Sequence, residues 1–122
     1  MSGRISVAPK ADRTLDGITF ASKAEMNRYA ELCMLQRARL IEGLERQPRF
    51  ELQPKLDITE FGDKKPRHTR AIFYVADFRY RNLDTNSVIV EDVKGHLTDI
   101  YKLKRKLFRA KYPEIDFREI KV

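Results

Sequence analysis

The sequence predicts a single α/β domain in which one mixed β-sheet is flanked by helices. Three observations lead to this prediction: a capped helix near the N-terminus, two strand-like runs joined by a turn, and a second helix before a final strand. A chain of 122 residues is long enough for one modest core and too short for two domains. Residues 1–15 are polar and without period, so we expect a flexible basic arm there and the domain at 16–122.

The first helix is predicted from its start signal and its apolar spacing. Ser22 and Glu25 form a capping box, and Gly43 marks the end of a helix that runs to about Leu40. Glu25 lies four residues before Tyr29, at the start of the apolar stripe, so it faces the core. The inward stripe consists of Tyr29, Leu32, Cys33, Leu35 and Leu40.

The middle of the chain predicts an antiparallel hairpin. "AIFYVADFRY" (71–80) is rich in β-branched and aromatic residues, "LDTN" (83–86) supplies a turn, and "SVIVEDVK" (87–94) returns as a second strand. Two proline-marked extended pieces precede it, followed by a polar, basic loop at 59–70.

A second helix is predicted from about Thr98 to Ala110, and Pro113 stops it. The segment 114–122 then closes the chain as a strand. The apolar residues of this helix that we expect to be buried are Ile100, Leu103, Leu107 and Ala110.

The composition bounds the partners and the compartment. Twenty-five Lys and Arg against 18 Asp and Glu give a net charge of +7, which favours polyanions, nucleic acid above all. No apolar run approaches the roughly 18 residues that span a bilayer, so we expect no membrane contact. The single cysteine, Cys33, fits a reducing cytoplasm.

One set of acids indicates chemistry. Because side chains alternate on a strand, Asp92 and Lys94 share one face of the second hairpin strand, and Glu91 lies on the other. The hairpin brings Asp77 near Asp92. Two close carboxylates repel, and a divalent ion such as Mg²⁺ or Mn²⁺ removes that penalty. Lys94 could then orient or help deprotonate a water, or stabilise charge on a phosphate, and Glu25 could add a carboxylate.

Several segments together resemble a known family. "GITFASKAEMNRY", "QPRFELQP", "YVADFRY" and "VIVEDVKGHLTDIYKLKRKLFRAKYP" are similar to small phage-encoded endonuclease-like proteins of the PD-(D/E)xK superfamily, which includes restriction endonucleases and Holliday junction resolvases. The resemblance runs from about Asp16 to the C-terminus. It implies a restriction-endonuclease-like fold with an αβββαβ core.

The resemblance also implies roles. Asp77, Asp92 and the main-chain carbonyl of Val93 would bind Mg²⁺, or Mn²⁺ in its place; Lys94 would be the catalytic lysine, and Glu25 an extra ligand. Ala76 stands where the superfamily pattern has proline. The implied protein is a Mg²⁺-dependent DNA endonuclease in phage DNA processing, a homodimer in the host cytoplasm that cuts branched DNA such as four-way junctions.

Basic and polar residues around this set are candidate DNA contacts. Those on the second helix follow the metal strand directly, and the others belong to the basic loop and the strand before it. The candidates are Lys102, Arg105, Lys106, His68, Arg70 and Gln53.

Alternatives remain open from the residues alone. Asp92 and Lys94 could form an exposed salt-bridge face, Asp77 could end its strand, and Glu25 could be used entirely by its capping box, since both roles exclude each other. The chain could be a non-catalytic DNA-binding or recombination accessory protein. An RNA-binding module is disfavoured, because the strand aromatics are divided between two faces.

Overall fold

The computed structural model describes residues 7–122, which form ten strands, two α-helices and one short 3₁₀ helix at Lys10–Arg13. In chain order the elements are β1 (Thr14–Leu15), β2 (Ile18–Thr19), α1 (Lys23–Arg37), β3 (Ile41–Arg46), β4 (Arg49–Gln53), β5 (Asp57–Ile58), β6 (Arg67–His68), β7 (Ile72–Val75), β8 (Phe78–Asn82), β9 (Val88–Lys94), α2 (Asp99–Lys111) and β10 (Asp116–Lys121).

The central sheet has four strands in the order β10-β9-β8-β3. β9 and β10 run parallel, whereas β8 is antiparallel to both β9 and β3. The sheet is therefore mixed, and the predicted α/β class is confirmed. The predicted hairpin is also present: β8 and β9 pair with Phe78 opposite Glu91 and Tyr80 opposite Ile89.

Each face of β9 packs against a different helix. Ile89 belongs to a cluster with Leu32 of α1, and its neighbour Val90 belongs to a cluster with Phe108 of α2. The alternation of side chains along a strand explains this division. Consequently Glu91 faces the α1 side, and Asp92 faces the α2 side.

The first helix begins as predicted and ends early. The Ser22 hydroxyl accepts a hydrogen bond from the Glu25 amide, but the helix stops at Arg37, and the side chain of Leu40 is exposed. Gly43 does not end the helix. It lies inside β3 with φ +67°, at a β-bulge where the pairing with β8 shifts register. Glycine adopts this left-handed conformation without steric cost.

The predicted strand at 71–80 is interrupted at Ala76 and Asp77. Its first part, β7, pairs with β4, and its second part, β8, enters the central sheet. Gln47, with φ +51°, donates its amide to the Asp77 carbonyl at 2.9 Å, so the strand pair bends here. The predicted loop at 59–70 is likewise partly ordered, because β5 and β6 pair as a small ladder.

The buried face predicted for the second helix is wrong. Ile100 is 67% exposed, and Leu103 and Leu107 are exposed as well, whereas Tyr101 and Phe108 are buried. The reason is packing: the Phe108 ring lies 4.9 Å from that of Phe50 and joins an aromatic cluster on β4 and β7. Large rings at helical spacing fill this space better than the aliphatic stripe.

The N-terminal segment is more ordered than predicted. β1 and β2 pair around a turn at Asp16 and Gly17, both with positive φ, and Arg13 donates to the carbonyl of Phe20. The predicted arm is therefore wrong from Lys10 onward, and its residues 1–6 lie outside the described chain. No helix within residues 7–122 is long and apolar enough to cross a membrane.

Candidate active site

Asp77 is fixed at the bend by three hydrogen bonds. Its amide donates to the Glu91 carbonyl at 3.1 Å, and its carbonyl accepts from the Gln47 amide. Its carboxylate oxygen Oδ2 accepts from the Val93 amide at 2.7 Å. The interruption of the strand thus directs this carboxylate onto β9. Burial raises the pKa of Asp77, while the Val93 amide and the Lys94 charge oppose the rise.

Asp92 is a buried carboxylate without a hydrogen-bond partner. It is 0% exposed, and neither of its oxygens accepts a hydrogen bond from any residue in 7–122. The Lys94 Nζ lies 3.6 Å from Oδ1. Burial raises the pKa of Asp92 to about 6, with Glu119 contributing and the Lys94 ammonium opposing. A carboxylate in this condition requires a nearby cation to stay ionised.

Lys94 lies against both aspartates. Its charge lowers the pKa of Asp77 and of Asp92, and its side chain is 28% exposed, so the ammonium remains accessible. Nζ lies 4.6 Å from the centroid of the Tyr101 ring, which is a cation–π distance. The fold therefore brings Asp77, Asp92 and Lys94 together at the end of β9.

Glu25 serves the helix start and lies beside Asp77. Its Oε2 accepts a hydrogen bond from the Ala21 amide at 3.2 Å, which completes the helix start. Burial, and then the charge of Asp77, raise its pKa to about 7. The side chain is 5% exposed, so Glu25 adds a further acid to the Asp77 side of the site.

The acids do not form a three-carboxylate cage. In the described part of the chain, no group of three or more His, Cys, Asp or Glu side chains is arranged to hold a metal ion. The ligand set that remains compatible is two aspartates with main-chain oxygen and water, as hard divalent ions accept. Glu25 would have to change its side-chain position to become a direct third ligand.

Two residues near the acids were not found from the sequence. Arg46 of β3 favours the ionised forms of Glu25 and Asp77, and its guanidinium lies 4.7 Å from the Phe20 ring centroid. His96 borders the recess into which Glu25, Asp77 and Lys94 project. The sequence did offer a signal for His96, because it directly follows the "EDVKG" segment that contains Asp92 and Lys94. The sequence around Arg46 gave no signal that its guanidinium would lie near Glu25 and Asp77.

Comparison with known families places the chain. A family model described as "Protein of unknown function (DUF1064)" matches residues 9–121. The chain belongs to this family. The match includes both helices and every residue of the candidate site. No curated protein and no solved structure matches the chain. The DUF1064 description assigns no activity.

The candidate DNA contacts of this DUF1064 protein have different surroundings. Lys102 and Lys106 of α2 are exposed and make no ion pair within residues 7–122. Arg105 instead pairs with Glu119, with Nη1 at 2.8 Å from Oε1, so it is not available as a free phosphate contact. His68 lies 2.6 Å from Asp57 on the β5–β6 hairpin. Gln53, at the end of β4, and Arg70, just after β6, are both exposed.

Proposed function

We propose that this protein is a Mg²⁺-dependent DNA endonuclease with a restriction-endonuclease-like fold. The observation that carries the proposal is the meeting of Asp77, Asp92 and Lys94 at one end of β9, where the Asp92 carboxylate is buried, accepts no hydrogen bond from residues 7–122 and lies 3.6 Å from the Lys94 ammonium. An exposed salt-bridge face would leave Asp92 in contact with solvent, whereas Asp92 is 0% exposed and neither of its oxygens accepts a hydrogen bond from residues 7–122. The order of these residues along the chain agrees with the PD-(D/E)xK resemblance.

The donor set fits a hard divalent ion. Asp77 and Asp92 have raised pKa values because burial penalises their charge, and a bound cation would reverse that penalty. Asp77, Asp92 and the Val93 carbonyl would hold Mg²⁺, and Mn²⁺ would substitute. When bound, the ion supplies neutralisation of the phosphate and a lower pKa for an attacking water.

The chain's own residues supply the remaining functions. Lys94 donates from its ammonium toward the phosphate or the attacking water, held between Asp92 and the Tyr101 ring. Glu25 serves as an extra acid beside Asp77. Lys102 and Lys106 are exposed on α2, the helix that follows β9. They bind phosphates of the DNA strand that is cut. Hydrolysis leaves 5′-phosphate and 3′-hydroxyl ends.

A homodimer acting on branched DNA in the cytoplasm completes the proposal. One domain of this size carries one site, and cutting both strands requires two. The exposed aliphatic residues of α2, Ile100, Leu103 and Leu107, are available for contact between two copies. A pair of sites suits a junction in which two strands must be cut, and the free Cys33 agrees with a reducing compartment.

The test is cleavage by the purified protein with Mg²⁺ on a four-way junction with a fixed branch point, beside linear duplex of matched sequence. We expect nicks near the branch point that disappear in EDTA and with Asp77→Asn. Asp12→Asn, which changes an exposed acid outside the site, is the matched control and should cut normally. Equal cutting of junction and duplex would remove the branched substrate and leave the nuclease.

One observation favours a second candidate, a non-catalytic DNA-binding accessory protein. The carboxylates of Glu25, Asp77 and Asp92 do not form a ready three-ligand site within residues 7–122. This candidate predicts salt-sensitive binding of DNA, no cutting with Mg²⁺ or Mn²⁺, and unchanged binding in Asp77→Asn. Metal-dependent cutting by the wild-type protein would exclude it.

A further inference from the structure

A recess of about 540 Å³ opens between the start of α1 and the end of β9. We propose that it receives the nucleotide adjoining the scissile phosphate, unstacked from its neighbours, so that the substrate is DNA with an unpaired or weakly stacked nucleotide at the cut. This inference rests on the proposed nuclease function and specifies its substrate.

The lining of the recess combines two kinds of residue. Glu25, Asp77 and Lys94 are the groups that would act on a phosphate. Small or apolar residues, among them Ala21, Ala24 and Val122, line the same recess, and His96 borders it. A nucleotide needs both kinds of surface, because it carries a charged phosphate and a flat, largely apolar base.

The size of the recess agrees with this ligand. Small-molecule pockets in proteins commonly measure about 300–1,000 Å³, and the volume here lies within that range. The short side chains of Ala21 and Ala24 leave this space open. The imidazole of His96 at the border of the recess can hydrogen-bond the edge of a base that has left its stack.

The burial of the acids gives an independent reason. Glu25 is 5% exposed and borders the recess together with Asp77 and Lys94, so a phosphate must enter the recess to approach these groups. In a continuous duplex each nucleotide is held by stacking and pairing on both sides. Leaving that path requires unstacking, which is easiest at branch points, flaps and mismatches.

The experiment uses 2-aminopurine, a base whose fluorescence is quenched by stacking, placed beside the cut mapped on a flap substrate. Binding is measured with Ca²⁺ in place of Mg²⁺. We expect fluorescence to rise about two-fold or more on binding, and to stay unchanged when the probe is about ten nucleotides away. If no cut is found, the probe is placed on either side of the branch point.

Two variants test the recess itself. Ala24→Phe fills it and should remove the fluorescence rise, whereas Ala38→Phe adds the same ring to an exposed position at the other end of α1 and should keep it. His96→Ala should reduce the rise at least about two-fold without unfolding the protein, because the side chain is exposed. His96→Ala therefore decides the matter if Ala24→Phe does not fold.

The outcomes separate the two proposals. Cutting without any fluorescence change, or a change unaffected by both variants, overturns the recess and leaves the nuclease. A variant-sensitive change without cutting supports the recess and removes the nuclease. A protein that neither cuts nor changes the fluorescence overturns both.

Discussion

Two neighbouring carboxylates on β9 have the same burial and opposite surroundings. Glu91 and Asp92 are both 0% exposed. Glu91 accepts hydrogen bonds from Nε and Nη2 of Arg28, each at 2.7 Å, and from the Tyr80 hydroxyl. Asp92 accepts none from the described residues and has only the Lys94 ammonium at 3.6 Å.

The difference is one of hydrogen bonding: Glu91 is held by bonds made within the fold, and Asp92 is not. A buried charge whose hydrogen bonds are all made within the fold contributes specificity and cannot easily take an external ligand. A buried charge without such bonds is destabilising unless something else neutralises it. Asp92 therefore has an environment that a cation would complete, and Glu91 does not. Under the proposed function, this contrast supports Asp92 rather than Glu91 as the metal-binding acid.

The largest effect that we expect is the loss of DNA cleavage in the Asp92→Asn variant. The substitution keeps the shape of the side chain and removes its charge, so we expect the rate of DNA cutting to fall by at least about 10³-fold. Stability in the absence of metal should be unchanged or higher, because an unpartnered buried charge is lost. Cleavage is followed on gels, and stability by urea unfolding.

Glu91→Gln is the opposite test. It removes the buried charge that faces Arg28, which keeps Glu31 at 2.8 Å and is 22% exposed, so we expect a cost of about 1–3 kcal/mol. We expect the free energy of unfolding to fall by that amount, while cutting by the folded fraction at low temperature continues. An Asp92→Asn protein that loses stability and a Glu91→Gln protein that loses only activity would reverse the assignment.

The third prediction concerns pH and metal. Burial raises the pKa of Glu25 from 4.5 to about 7 and that of Asp92 from 3.8 to about 6. Because the folded state holds these protons more tightly, their contribution to stability is complete below about pH 4 and is lost as pH rises to about 7. The metal-free melting temperature should therefore fall between pH 5 and pH 8.

Mg²⁺ should restore the melting temperature that the metal-free protein loses as the pH rises. A ligand at 100 times its dissociation constant stabilises by about 2.7 kcal/mol, and it binds the ionised acids, so its effect on melting should be larger at pH 8 than at pH 5. The Asp77→Asn/Asp92→Asn double variant should show little effect of Mg²⁺ at either pH. An equal rise in melting temperature for the double variant and the wild type would contradict a metal site at these aspartates.

Local patterns were sufficient to predict the face of each β9 residue. Alternation along the strand places Asp92 with Lys94 and separates both from Glu91, and the hairpin turn brings Asp77 close. The partner of Glu91 could not be predicted in this way. Arg28 lies 63 residues earlier in the chain, and only the packing of α1 on the sheet joins the two.

Helix α2 shows why the rest of the fold was harder to predict. Its sequence contains two apolar stripes, one aliphatic and one aromatic, and periodicity alone cannot choose between them. The tertiary structure buries Tyr101 and Phe108 and exposes Ile100, Leu103 and Leu107. The bend at Asp77 was equally hidden, because it is joined by a hydrogen bond to Gln47, a positive-φ residue in the link between β3 and β4.

The smallest expected effect concerns how Lys94 is held beside Asp92. Tyr101 presents its ring to Nζ at 4.6 Å, and its hydroxyl makes no hydrogen bond within the described residues. The ring, and not the hydroxyl, should therefore position the ammonium. A cation–π contact contributes about 0.5–2 kcal/mol, so Tyr101→Leu should lower kcat by roughly 2- to 30-fold with KM unchanged. Tyr101→Phe keeps the ring and should retain the wild-type kcat. If Phe and Leu lower kcat equally, the hydroxyl positions Lys94; if KM rises and kcat is constant, Tyr101 contacts DNA.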